Sequence, residues 1–129
     1  MKEDAIEYLL FTVKQTEDSI VDVGIDLEQR EYRIETTDLY GQLLESETQG
    51  KLRKSKVRQF QEDLKKMDFN IWPQNEKDTL PLHLKNASIL YNVGGEQRFT
   101  TGHNEKDLIK IHKRLEKLVG TTFGSYDFY

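Results

Sequence analysis

The chain lacks cysteine altogether, has only two prolines and one tryptophan, and holds no apolar run near the roughly 20 residues that cross a bilayer. Without cysteine there is no disulfide framework, no thiolate metal site and no cysteine nucleophile, which fits a reducing cytosol. The start, Met1-Lys2-Glu3-Asp4-Ala5-Ile6-Glu7, is too acidic and too poor in apolar residues for a signal peptide. The expectation is a cytoplasmic protein with no membrane partner. Phosphate-cradling loops and nucleophile elbows are also missing. Gly94-Gly95 leads into a strand-like segment, and Gly124-Ser125-Tyr126 has no helix behind it. No cofactor is expected.

What is present amounts to one domain: 129 residues, 36% hydrophobic and 33% charged, lean but sufficient for a core. A net charge of -4 conceals an asymmetry, with 13 acids against 4 bases in residues 1–50 and 10 acids against 15 bases in residues 51–129. Both halves must share one core, so this split reads first as fields that cancel on packing and only second as a steering surface.

Ile6 to Val13 is rich in β-branched and aromatic residues and predicts a well-buried strand. From Ser19 the pattern has period two: Val21, Val23, Ile25 and Leu27 point one way, Asp22, Gly24, Asp26 and Glu28 the other. After a reversal at residues 28–31, Tyr32 and Ile34 resume the apolar face, giving three antiparallel strands. Leu39, Tyr40, Leu43 and Leu44 suit a short helix, with a further strand as the alternative.

Val57, Phe60, Leu64 and Met67 form an amphipathic stripe that predicts a helix of about three turns, capped by Ser55 or, if it starts earlier, by Thr48. Pro73 forbids its continuation, so Phe69, Ile71 and Trp72 are expected to tuck an extended segment onto the core, followed by a polar connection over residues 74–82. Gly94-Gly95 predicts a tight hairpin joining Ala87–Val93 to Glu96–Thr101, with Leu90 opposite Phe99 and Tyr91 opposite Arg98. Leu108, Ile111, Leu115 and Leu118 repeat the helical stripe, begun by Asn104 as cap and stopped at Gly120. Four aromatics in the tail, Phe123, Tyr126, Phe128 and Tyr129, are expected to dock. The order βββ-α-ββ-α predicts a two-layer α+β domain: an antiparallel sheet of about five strands with two main helices on one face and an aromatic tail over residues 121–129.

Three surfaces are candidates for function. With the odd positions 21–27 inward, Asp22, Asp26, Glu28, Glu31 and Glu35 line the opposite side of the first hairpin, offset by Arg33 alone. Such a face attracts a basic protein partner, although solubility is the plainer reason for charge there. His103 with Glu105 or Asp107 offers an imidazole beside carboxylates for a metal-assisted hydrolase, yet matches no metal motif; a loop histidine before a helix cap is the plainer reading, and His83 and His112 carry less. Lys51, Arg53, Lys54, Lys56 and Arg58, joined by Lys110, Lys113, Arg114 and Lys117, offer a basic surface for nucleic acid; a solvated helix face is favoured because no nucleic-acid motif accompanies them. Sheet edges or the aromatic tail provide a route to a homodimer.

No motif is specific enough to name a family. In architecture alone the arrangement resembles small bacterial proteins, among them immunity proteins that neutralise toxins with a charged surface, and architecture carries no functional residue across. The reading is a non-catalytic protein-binding or regulatory module using the acidic sheet face.

Overall fold

A computed structural model describes residues 6–44, 48–72, 74, 87–101 and 105–126. The fold is α+β. Six strands, β1 (Ile6–Thr16), β2 (Ser19–Asp26), β3 (Glu31–Asp38), β4 (Thr48–Lys51), β5 (Ala87–Val93) and β6 (Glu96–Thr100), form one antiparallel sheet in the order β4-β3-β2-β1-β5-β6. Two helices, α1 (Lys54–Lys66) and α2 (Glu105–Val119), pack on one face.

Alternation along the strands decides which face is covered. Leu9, Phe11 and Val13 of β1, Val21, Val23 and Ile25 of β2, and Ile89 and Tyr91 of β5 are sealed against Val57, Phe60 and Leu64 of α1 and Leu108, Ile111, Leu115 and Leu118 of α2. Phe11 is paired with Val23 on one side and Ile89 on the other, so the inward row runs straight across the centre of the sheet. A Leu→Ala change in such a row costs about 2–5 kcal/mol. The two helices are also tied to each other: Asp63, nearly buried on α1, accepts from Gln59 Nε2 at 3.1 Å and lies 3.7 Å from Arg114 Nε of α2.

The hairpin between β5 and β6 has the expected register, with Leu90 opposite Phe99 and Tyr91 opposite Arg98, and both Gly94 and Gly95 take positive φ. Four expectations are corrected. The sheet has six strands rather than about five, because β4 pairs with β3. Residues 39–44 form no helix: Asp38 closes a tight turn there and Leu43 makes a single bridge to Thr37. Thr48 belongs to β4, and α1 is preceded by Arg53 with no side-chain cap, so neither Thr48 nor Ser55 caps it. Phe69–Ile71 is a single 3-10 turn instead of an extended segment. It buries Phe69 and Trp72, whose rings lie 4.8 Å apart, and turns Ile71 out to solvent. Asn104, Pro81, Phe128 and Tyr129 lie outside the described residues, as does the polar connection apart from Gln74.

The beginning of the tail docks. Ser125 N donates to Lys14 O at 3.0 Å, and Phe123 is buried beside Phe11 and His112. No helix among the described residues is long and apolar enough to cross a membrane.

Candidate functional site

The even-numbered side chains of β1 and β2 point away from the helices, together with Glu31, Arg33 and Glu35 of β3 and Gln49 and Lys51 of β4, which the register places opposite them. Among the described residues no helix lies over this face. Each predicted carboxylate on it has a local partner. Asp22 accepts a hydrogen bond from Thr12 Oγ1 at 2.7 Å, across the β1–β2 pair. Asp26 Oδ1 accepts from the amides of Glu28 at 3.1 Å and Gln29 at 2.9 Å, which closes the turn into β3. Glu31 Oε1 lies 2.6 Å from Lys51 Nζ, and Glu35 Oε1 is 3.9 Å from Arg33. Both ion pairs are substantially exposed, so each contributes little to stability and serves mainly to fix geometry.

Arg33 is therefore not the only offset, since β4 brings Lys51 onto the face and Lys14 stands on it at the far end of β1. The carboxylates gather on the β2–β3 half. Beside them runs an apolar row, with Leu10 opposite Leu90 and Leu90 opposite Phe99, all half-buried. Tyr8 links the two halves. Its ring lies across Gly24 so closely that a Cβ there would sit 2.5 Å from the hydroxyl. Burial pushes the Tyr8 hydroxyl pKa above its ordinary value of 10.0; Arg33 opposes this, while Asp26, Asp22 and Glu35 add to it.

Glu28 departs from the expected set. It sits in the β2–β3 turn and lines a groove of about 460 Å³ with Leu27 and Arg30 of the turn and Lys54, Val57, Arg58 and Gln61 of α1, at the helix side of the sheet. The basic run is split in the same way: Lys51 is on β4, while Lys54, Lys56 and Arg58 are exposed on α1. Lys110, Lys113, Arg114 and Lys117 are exposed on α2, with Arg114 beside Asp63 and Lys113 Nζ 6.0 Å from the Tyr126 ring centre.

His103 and His83 lie outside the described residues; Glu105 and Asp107 begin α2, and no group of three or more metal-ligating side chains occurs among the described residues. His112 is fully buried and holds the tail. Its Nε2 is 2.8 Å from Phe123 O, and its ring stacks on Phe123 and Tyr126 at 4.9 and 4.3 Å. Burial drives its pKa below 6.5 against the opposing pull of the Phe123 carbonyl and Glu116, so the ring is neutral and Nε2–H donates to that carbonyl. Glu116 completes the clasp, accepting from Phe123 N at 3.0 Å and from the Tyr126 hydroxyl. Burial and Glu116 both raise the Tyr126 pKa. The sequence pointed to docking of Phe123 and Tyr126 but not to where they dock; the signal for the other half of the cluster was His112 falling beside the buried stripe position Ile111.

No family model, no curated protein and no solved structure matches this chain.

Proposed function

We propose that this chain is a small non-catalytic module that works in the cytoplasm by binding a basic protein partner through its open sheet face. The observation that supports this reading is the grouping of Asp22, Asp26, Glu31 and Glu35 on one half of that face, beside the apolar row Leu10, Leu90 and Phe99. Carboxylates of this kind speed encounter and select sign, while the half-buried apolar row supplies area that a partner can dehydrate. Asp22 and Asp26 are already held by Thr12 and by the turn amides, so little side-chain freedom is lost when a partner arrives.

The test is recovery of partners from native lysate on immobilised protein, comparing wild type with the double variant Asp22→Lys, Glu35→Lys and with Lys110→Glu on the helix side as control. The expected result is loss of a salt-sensitive partner in the double variant and its retention in the control. Recovery of the same proteins at unchanged yield from all three removes the open face from the function.

A further inference from the structure

The most anomalous surface of the molecule is neither the open face nor the clasp but the turn that follows β3. Within six residues, Leu39, Tyr40, Leu43 and Leu44 are exposed by 44%, 96%, 51% and 52%. Scattered apolar exposure is ordinary; four such side chains gathered on one turn mark a contact surface. The turn is rigid. Asp38 Oδ1 accepts from the amides of Tyr40 at 2.8 Å and Gln42 at 2.9 Å, Asp38 N donates to Gln42 O, and Leu44 N donates to Thr36 O. The backbone of the tip therefore meets an occupant with part of its ordering cost already met. Its surroundings are acidic, because Ser19 pairs with Asp38 and so sets the exposed Glu17 and Asp18 of the β1–β2 turn beside it.

The opposite end of the β2–β3 hairpin carries the complementary surface. The groove of about 460 Å³ there is lined by Leu27 and Val57, both largely buried, and its exposed rim carries Arg30, Lys54 and Arg58 against Glu28 alone. None of these three cations takes part in an ion pair among the described residues. Lys54 and Arg58 are spaced i, i+4 near the start of α1, whose first turn contains no acid, an arrangement that costs stability in the isolated chain. β2 has eight residues, which separates the two ends by about 23 Å, so a chain cannot place its own tip in its own groove.

We infer that the tip of one copy docks in the groove of a second copy, Tyr40 and its leucines packing on the aliphatic stems of Lys54 and Arg58 while Glu17 and Asp18 approach their charges and that of Arg30. Every copy offers one tip and one groove, so the contacts close either reciprocally in a two-fold pair or head to tail in a ring or a filament.

Sedimentation of the full chain up to about 1 mM, at low and high salt, tests this. Wild type is expected to associate with rising concentration, more weakly at high salt. Tyr40→Ser and the double variant Lys54→Glu, Arg58→Glu are each expected to shift association to at least about tenfold higher concentration. Both alter exposed side chains, and circular dichroism confirms that they fold. Mixed together, the two variants retain one intact groove and one intact tip and are expected to give a capped one-to-one complex. A wild type that stays monomeric throughout, association indifferent to both variants, or variants that do not complement each other while wild type assembles, each overturns the inference.

Discussion

Gly124→Ala is expected to destabilise the protein through two separable effects, one of which Val13 controls. Gly124 has φ +66, where an alanine costs about 1 kcal/mol, and an added Cβ would lie 2.6 Å from Val13 Cγ1. Val13 is 1% exposed and paired on both sides within the sheet, so it cannot move aside, and overpacking of this kind costs about 1–3 kcal/mol more. The single change therefore costs about 2–4 kcal/mol. Val13→Ala alone removes two methyl groups from the core, at about 2 kcal/mol. In the double variant the Cβ finds room and only the backbone cost of the alanine remains, so the combined loss falls short of the sum by about 1–3 kcal/mol. Urea unfolding of the four proteins measures the cycle. Losses that add to within about 0.5 kcal/mol refute the close approach of the tail to β1.

Two further outcomes follow from the same geometry. Because burial holds His112 neutral, the unfolded chain binds a proton that the folded one resists. The stabilising contribution is full above pH 6.5 and is lost as pH falls below it. Between pH 7 and pH 5 the urea midpoint of wild type is expected to fall further than that of His112→Gln, and equal slopes in the two proteins contradict the buried neutral ring. Asp38→Ala removes the acceptor for two turn amides, at about 1 kcal/mol, and is expected to speed hydrogen exchange at Tyr40 and Gln42. Exchange rates unchanged at both amides contradict the locked turn.

Short-range periodicity in the sequence was enough to assign the faces. The alternation from Ser19 to Leu27 needs only the pleat of a strand, and the stripes Val57-Phe60-Leu64 and Leu108-Ile111-Leu115-Leu118 need only the pitch of a helix; both put the same residues inside that the structure seals. Gly94-Gly95 fixed a hairpin because the two residues tolerate the positive φ the turn demands, and the register with Arg98 and Phe99 followed. Tertiary structure decided the rest. Thr48-Gln49-Gly50-Lys51 carries no alternation and becomes a strand only because β3 offers a free edge, and that pairing sets Lys51 against Glu31. His112 looked like one more polar position on a helix until the returning tail closed over it through Phe123 and Tyr126. Leu39 to Leu44 suited a short helix or a further strand, since spacing records which side chains share a side and says nothing of whether any partner element arrives to cover them.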